Sequence, residues 1–164
     1  MTDLIHNTWP LQRDVPKIDG NPARSDWTSA NLVTVLCPWK LYYETHPVRG
    51  IQINKRCADS LRRVLGAIWD AVGGSQSEIE KLHYHRYSGS YNYRPMRGGA
   101  ALSMHAYGRA IDWDDAENPQ HSPHHLFKSD SLIVVKFKAE GWEWGGDWIG
   151  ASVDAMHVQA ARVR

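Results

Sequence analysis

Two short segments of the chain together contain the side chains that a catalytic zinc site needs. Such a site takes three protein ligands, keeps an open position for water and has a separate base that accepts the proton of that water. The segments supply two imidazoles and two carboxylates, namely His105 and Asp112 in one and Asp154 and His157 in the other. This set predicts a metal centre assembled from two separate parts of the chain.

The spacing between His105 and Asp112 restricts how the first segment can fold. Two ligands of one tetrahedral zinc lie roughly 3–3.5 Å apart, because each bond is about 2 Å long. Residues seven apart are about 10.5 Å apart along a straight helix, and on a straight strand they lie farther apart and face opposite sides. If the two side chains share a metal, the chain must turn between them. Gly108 lies where the absence of a Cβ favours such a turn.

Each of these residues also has an ordinary structural explanation. A single histidine in a folded domain is more often a surface or hydrogen-bonded residue than a ligand. Asp112 or Asp154 alone could cap a helix or lie in a solvated turn. The small and apolar neighbours of the four residues favour a metal site, but spacing alone leaves both interpretations open.

Four motifs follow one another along the chain: Tyr-Asn-Tyr-Arg-Pro-Met-Arg-Gly-Gly at 91–99, Ser103-x-His105-x-x-Gly108-x-Ala110-x-Asp112, Trp-Glu-Trp-Gly-Gly-Asp-Trp at 142–148, and Asp154-x-x-His157. In this order they resemble the zinc peptidase family of D-alanyl-D-alanine carboxypeptidases and L-alanyl-D-glutamate endopeptidases. The similarity is closest to the phage endolysin branch and runs from about residue 51 to residue 158. Many carboxypeptidase and dipeptidase relatives have glutamate in place of Asp154, so the aspartate favours the endolysin-like endopeptidases.

The resemblance implies one zinc ion per chain, held by His105, Asp112 and His157. It also implies that Asp154 is the general base, which accepts a proton from the attacking water and later passes it to the leaving amine. Arg94 occupies the Tyr-Arg-Pro context of the family, which implies that it stabilises the oxyanion or holds a substrate carboxylate. Without the family, a surface salt bridge is the simpler explanation of this arginine.

Three further residues are expected to support the ligands or to contact substrate. Arg97 precedes a Gly-Gly loop that could line a cleft. Ser103 is expected to hydrogen-bond a ligand or the turn, and Trp148 to line the substrate groove. No His-Asp pair is free to activate Ser103, so a serine nucleophile is not expected.

The length of the chain predicts one catalytic domain over residues 1–164. Prolines punctuate residues 1–48, which are expected to be irregular, although the tryptophans there indicate that the segment packs onto the domain. Residues 49–160 form the predicted peptidase core, an α+β fold with a small antiparallel sheet and two or three helices. The resemblance implies the fold that D-Ala-D-Ala metallopeptidases share with the Hedgehog signalling domain.

Hydrophobic periodicity places the individual elements. It predicts a helix over 57–72, a helical turn over 77–82 and another helix from 129 or 130 to 139. Strands are predicted at 51–54, 83–87, 90–94, 109–113, 142–144 and 156–159.

Composition argues against several classes of function. The formal net charge is +1, so a nucleic-acid partner is not expected. No stretch approaches the roughly 20 apolar residues of a membrane span, and the N-terminus lacks the basic and apolar regions of a secretory signal. We expect a monomer that is made in the host cytoplasm and reaches the cell wall after holin-type release or as a virion component.

Several other cysteines and histidines resemble metal ligands but are expected to be structural. The two cysteines lack the spacing of a cysteine zinc site and are expected to be buried thiols, with a disulfide left open. The three histidines of the His-Ser-Pro-His-His loop are expected to be exposed to solvent. Two histidines that alternate on the predicted strand 83–87 are expected to pack rather than to bind metal. These residues are Cys37, Cys57, His83, His85, His121, His124 and His125.

The predicted function is zinc-dependent hydrolysis of an amide bond in the peptidoglycan stem peptide, which is a bacteriolytic activity. The first choice of bond is L-alanyl-D-glutamate. One alternative is a D-alanyl-D-alanine carboxypeptidase, which needs a cationic clamp for the terminal carboxylate. Another is a non-catalytic, zinc-stabilised wall-binding module. Such a module has no need for an unliganded carboxylate beside the metal, so Asp154 separates it from the enzymes.

Overall fold

The computed structural model describes residues 8–164. It shows five α-helices and two small antiparallel sheets in this part of the chain, which confirms the predicted α+β class. The prediction about a secretory signal concerns residues 1–7 and lies outside the described residues. No helix within 8–164 is long and apolar enough to cross a membrane. The helices are α1 Val15–Asp19, α2 Trp27–Asn31, α3 Ala58–Ala71, α4 Gln76–Lys81 and α5 Leu132–Ala139; the strands are β1 Leu32–Tyr43, β2 His46–Asn54, β3 Tyr87–Gly89, β4 Ala110–Trp113, β5 Glu143–Trp144 and β6 His157–Gln159.

The larger sheet contains four short strands in the order β3-β4-β6-β5, each antiparallel to its neighbour. Its two central strands, β4 and β6, pair in a register that places Asp112 opposite His157. Residues directly opposite each other on antiparallel strands share a face, with Cβ atoms about 4.5–5.5 Å apart. The register therefore brings two of the predicted ligands together.

Helix α3 is held by its packing face. Leu61, Val64, Leu65 and Ile68 are buried and recur at intervals of three and four residues, as predicted for this helix. They pack against β1 and α5. Each fully buried leucine or isoleucine contributes roughly 1.5–3 kcal/mol. The N-cap residue, Cys57, makes no side-chain capping hydrogen bond.

The described part of the N-terminal segment, residues 8–48, contains α1, α2 and β1, so the expectation of an irregular segment is wrong there. Its tryptophans Trp27 and Trp39 are buried, in agreement with a segment that packs onto the domain. β1 is a 12-residue strand that forms a hairpin with β2. It directs Val35, Trp39 and Leu41 into the core, where each is at most 4% exposed. Pro38 lies where the register of the hairpin shifts, and such an irregularity is where a strand tolerates proline. That the whole chain is a single catalytic domain stays a prediction.

Two predicted strands, 83–87 and 90–94, are wrong over most of their length. His83 has a φ of +67°, a left-handed conformation that a strand excludes, and β3 covers only Tyr87–Gly89. The backbone of residues 90–94 instead bonds residues 103–105, with N···O distances of 3.0 and 3.1 Å. Its hydrogen-bonding groups are thus used on a loop rather than on a sheet.

The other predicted elements are confirmed with small shifts at their ends. The helical turn at 77–82 is α4, and the helix that ends at 139 is α5. Strands β4, β5 and β6 lie within the predicted ranges. β2 begins at His46, earlier than the predicted strand at 51–54.

Candidate metal centre

The chain between His105 and Asp112 makes the turn that their spacing predicts. His105 lies in a 3-10 turn, Met104–Tyr107, which ends at Gly108 in a left-handed conformation with φ 64° and ψ 28°. The chain then enters β4, which carries Asp112. The backbone N–H of Asn54 donates to the carbonyl oxygen of Gly108 at 2.8 Å. The end of β2 therefore holds the turn in place.

A buried ion pair holds the same turn from the N-terminal segment. The guanidinium of Arg109 donates two hydrogen bonds to the carboxylate of Asp19, at 2.5 and 2.9 Å, and a third to the carbonyl oxygen of Ala160 at 3.1 Å. Arg109 and Asp19 are only 2% and 4% exposed. Because a bidentate pair fixes both partners in one geometry, α1 is tied to the segment between the two predicted ligands.

The second segment places Asp154 and His157 in one tight turn. The N–H of His157 donates to the carbonyl oxygen of Asp154 at 3.1 Å, and the N–H of Asp154 donates to that of Gly145 at 2.9 Å. His157 then begins β6 opposite Asp112. The three-residue spacing therefore corresponds to a turn that leads into a strand.

The three predicted ligands, His105, Asp112 and His157, converge on one point. One donor atom from each lies within 4.8 Å of the other two. Oδ2 of Asp112 is 3.2 Å from Nε2 of His105, and Oδ1 is 3.1 Å from Nδ1 of His157. These distances match the roughly 3–3.5 Å between two ligands of one tetrahedral ion. The group is largely buried and could bind a metal ion.

The other ring nitrogen of each histidine is held by an acceptor outside the cluster. Nδ1 of His105 lies 2.6 Å from the carbonyl oxygen of Ser90, and Nε2 of His157 lies 2.9 Å from Oε1 of Gln159. Since an oxygen of this kind only accepts, each of these nitrogens carries a proton and the opposite nitrogen faces Asp112.

The buried Nε2 of His105 supplies a direct test of whether the residues fit a metal ion. It lacks a hydrogen-bond partner among the described residues, although Oδ2 of Asp112 lies 3.2 Å away. A buried polar atom without a partner is costly, and a metal ion would satisfy it. The nitrogen and oxygen donors of the cluster suit a divalent transition-metal ion, and zinc is one of several that such donors bind.

The electrostatics of the cluster keep Asp112 ionised. Burial alone would raise the pKa of its carboxyl, but the imidazoles of His105 and His157 outweigh burial and hold that pKa well below its ordinary value. For His157, burial lowers the pKa, and the hydrogen bond and charge of Asp112 outweigh this and raise it. A carboxylate that stays charged at neutral pH is ready to bind a cation.

Asp154 lies beside the cluster without belonging to it. It is 8% exposed, and its Oδ1 is buried with no hydrogen-bond partner in residues 8–164. Burial raises the pKa of its carboxyl; the charge of His157 opposes this rise and that of Asp112 adds to it. A raised pKa suits a carboxylate that must accept a proton and then release it.

The two predicted arginines differ in their surroundings. The guanidinium of Arg94 donates only to the carbonyl oxygen of Pro95, at 3.5 Å, and pairs with no carboxylate in the described part of the chain. Arg97 is exposed and donates to Oε1 of Gln120 at 3.2 Å. Arg94 is therefore the better placed of the two to meet a negative charge in the cleft.

Ser103 and Trp148 each lie next to a histidine of the cluster. The hydroxyl oxygen of Ser103 accepts a hydrogen bond from the backbone N–H of His105 at 3.3 Å. The indole of Trp148 lies against the imidazole of His157, with ring centroids 5.3 Å apart. Both residues therefore restrict the position of a predicted ligand, and Trp148 also lines the cleft.

Two cavities meet at the cluster. The larger, of about 800 Å³, is lined in part by Asp154 and His157. The smaller, of about 320 Å³, is lined in part by Asp112. Arg94 and His105 line both cavities. The two cavities therefore adjoin each other at Arg94 and His105.

The loop histidines are not equally exposed. His121 and His124 are exposed, as predicted, but His125 is partly buried and its ring contacts Trp144 with centroids 6.0 Å apart. The prediction of an exposed side chain is therefore wrong for His125. His121 lines the larger cavity, and its Nδ1 is hydrogen-bonded to the carbonyl oxygen of Ala151. Loop composition gave no signal for this cleft position.

The remaining potential ligands contribute to structure. Nδ1 of His83 lies 2.8 Å from Oδ2 of Asp114, and the ring of His85 packs 6.4 Å from that of His83. Cys37 and Cys57 are both free thiols, and burial raises the pKa of each to about 12. They therefore stay protonated, which does not favour metal binding.

No motif in the sequence points to the residues that hold the two imidazoles. Gln159 follows His157 by two residues on a strand, so alternation alone would place both side chains on one face. Ser90 acts through its backbone oxygen, for which side-chain chemistry gives no signal. Gln12, which bonds Gln159, is 147 residues away along the chain.

One comparison with known proteins agrees with this geometry. Residues 97–160 match a family model described as D-alanyl-D-alanine carboxypeptidase. No curated protein and no solved structure matches the chain. The matched segment contains the three converging side chains and Asp154, and the α+β architecture is consistent with a metallopeptidase of this kind. The match supports the family resemblance, whereas the endolysin branch stays a prediction.

Proposed function

We propose that this chain is a zinc-dependent hydrolase that cleaves an amide bond in the peptidoglycan stem peptide. The observation that carries the proposal is the convergence of His105, Asp112 and His157 beside a separate buried carboxylate, Asp154. A structural zinc site closes its coordination with four protein ligands, whereas a catalytic site keeps three and an open position. The family match supports a peptidase. We further propose that the enzyme acts as a monomer, with holin-type release or a virion as its route to the wall.

The residues of the cleft divide the work of hydrolysis. When bound, zinc supplies Lewis acidity for the scissile carbonyl and for a water molecule. Asp154 accepts a proton from the water molecule while the water oxygen attacks the carbonyl carbon. It then delivers that proton to the leaving nitrogen as the C–N bond breaks. Arg94, whose guanidinium pairs with no carboxylate among the described residues, balances the charge that develops on the carbonyl oxygen.

The shape of the cleft favours an endopeptidase, with L-alanyl-D-glutamate as the first choice of bond. An endopeptidase must accommodate substrate on both sides of the scissile bond, and two adjoining cavities, of about 800 and 320 Å³, are each lined by residues of the cluster. A D-alanyl-D-alanine carboxypeptidase needs a cationic end wall for the terminal carboxylate. In the smaller cavity Arg94 is the only arginine or lysine among the described lining residues. The larger cavity is lined by Arg94, Arg97, Lys138 and Arg164, so a carboxypeptidase would have to bind its terminal carboxylate there.

Defined muropeptides separate these two activities. The products are identified by mass spectrometry after incubation with the zinc-loaded protein. The proposal expects a new amino terminus on D-glutamate or its isoglutamine form. Release of free D-alanine as the only product would instead establish the carboxypeptidase alternative.

Three variants test the assigned roles. Asp154→Ala should abolish hydrolysis while zinc content stays near that of the parent, and His105→Ala should lose both. Asp147→Ala is a matched control, because Asp147 lines the same cavity but is exposed and paired with Lys138 at 2.6 Å. If Asp154→Ala retains a rate within a few-fold of the parent, the base is wrongly assigned. Peptidoglycan binding without hydrolysis by the zinc-loaded parent would favour the wall-binding module.

A further inference from the structure

We infer that Gln12, in the N-terminal segment, positions His157 for the metal through the side chain of Gln159. The inference rests on the proposed metal site and assigns positioning roles to two residues outside it. A chain of hydrogen bonds between side-chain amides runs from Gln12 to Gln159 and ends on the imidazole of His157. Within the described residues neither glutamine side chain hydrogen-bonds His105 or Asp112, so the hydrogen-bonded route to the metal runs through His157.

The hydrogen bond between Gln159 and His157 fixes which ring nitrogen of His157 faces the cluster. Nε2 of His157 lies 2.9 Å from Oε1 of Gln159. An amide oxygen cannot donate, so Nε2 carries a proton. In the neutral ring Nδ1 then bears the lone pair, and it is Nδ1 that lies 3.1 Å from Asp112. The amide of Gln159 thus selects the form of His157 that can bind a metal through Nδ1.

The orientation of the Gln159 amide is itself imposed by two acceptors. Its Nε2 donates to the carbonyl oxygen of Ala161 at 3.2 Å and to Oε1 of Gln12 at 3.1 Å. A flipped amide would place its oxygen against both acceptors and its NH₂ against the N–H of His157. Gln159 is 2% exposed, so water does not compensate for such mismatches.

Gln12 is held in position by backbone pairing between the two ends of the described chain. The N–H of Gln12 donates to the carbonyl oxygen of Arg162 at 2.7 Å, and the N–H of Arg162 donates to that of Pro10 at 2.8 Å. Gln12 lines the larger cavity, as Gln159 does. The N-terminal segment therefore contributes to the metal centre without supplying a ligand.

Zinc affinity measured by competition with a chromophoric chelator tests this inference. Gln159→Ala should weaken zinc binding by about 10- to 100-fold, the usual effect of losing a partner that orients a ligand. Gln12→Ala should weaken it less, because Ala161 still holds the amide. Gln12→Glu keeps an oxygen acceptor for the amide of Gln159, so the zinc affinity of this variant should lie within a few-fold of that of the parent. Gln76→Ala is a matched control, since Gln76 makes two amide hydrogen bonds to the backbone of Lys40, and it should leave affinity unchanged.

A double-mutant cycle shows whether Gln12 acts through Gln159. If it does, Gln12→Ala should have little further effect on zinc affinity in the Gln159→Ala background, because the effects of coupled residues do not add. Additive losses, or a Gln12→Ala affinity equal to that of the parent, would overturn the inference while leaving the hydrolase proposal intact. A parent protein that binds no zinc would overturn both. Thermal unfolding of the metal-free variants checks that reduced affinity does not follow from a general loss of stability.

Discussion

Replacing Gly108 by alanine perturbs the turn between His105 and Asp112 in a way whose cost can be estimated. Gly108 has a φ of +64°, and an added Cβ would lie 2.6 Å from Cδ2 of Leu32 and 3.0 Å from the backbone nitrogen of Asn54. The left-handed conformation costs an alanine about 1–2 kcal/mol. The steric contacts add about 1–3 kcal/mol, as overpacking of a core usually does. The free energy of unfolding should therefore fall by about 2–5 kcal/mol.

Gly73 offers a matched control for the backbone part of this cost. Its φ is +65°, almost the same as that of Gly108, and nothing lies within 4 Å of an added Cβ. In Gly73→Ala the free energy of unfolding should therefore fall by the conformational cost alone. The two variants should differ by about 1–3 kcal/mol, the steric term, which corresponds to roughly 2–12 °C in Tm for a domain of this size.

Thermal unfolding and zinc titration of both variants together test the role of the turn. Gly108→Ala should also weaken zinc binding by about 10-fold or more, because the strain falls on the segment that joins two predicted ligands. Gly73→Ala should leave zinc affinity unchanged. Equal losses of Tm in the two variants would refute the steric estimate, and an unchanged zinc affinity in Gly108→Ala would refute the link between the turn and the metal.

Three other substitutions probe the support of the site. A Cβ at Gly145 would overlap the backbone oxygen of Asp154. Gly145→Ala should therefore displace Asp154, including its side-chain carboxylate, and slow the hydrolysis of muropeptides by about 100-fold. Asp19→Ala leaves Arg109 buried without its carboxylate and should cost about 3–5 kcal/mol in urea unfolding. Ser90→Ala removes the hydroxyl that donates to the carbonyl oxygen of Gln52 but keeps the carbonyl that holds the imidazole of His105. It should cost about 1 kcal/mol in stability and leave zinc affinity near that of the parent.

The features that the sequence predicted correctly depend on neighbouring residues. Gly108 marks the turn because glycine adopts a positive φ without a steric penalty. Helix α3 follows from the spacing of its apolar side chains, which decides both its existence and its buried face. In each case the physical cause lies within one short segment, so the pattern of that segment was sufficient.

The errors arise where tertiary contacts outweigh local preference. Pro38 suggested an irregular segment, but a register shift in the β1–β2 hairpin accommodates it. Alternation at 83–87 suggested a strand, but the side chain of His83 binds Asp114 and its backbone is left-handed. Residues 90–94 have the composition of a strand, yet their backbone groups bond the loop that carries His105. None of these partners is adjacent in sequence.

The two imidazoles of the cluster show why part of the site is visible in a sequence and part is not. His105 faces the cluster with Nε2 and needs an acceptor for Nδ1, which the backbone of Ser90 supplies whatever its side chain. His157 faces it with Nδ1 and needs an acceptor for Nε2, which within residues 8–164 is the side chain of Gln159. Substitution should therefore be tolerated at position 90 and not at 159, although both residues make one hydrogen bond to a histidine. The difference follows from which ring nitrogen faces Asp112, and that depends on the register of β4 and β6 rather than on any motif.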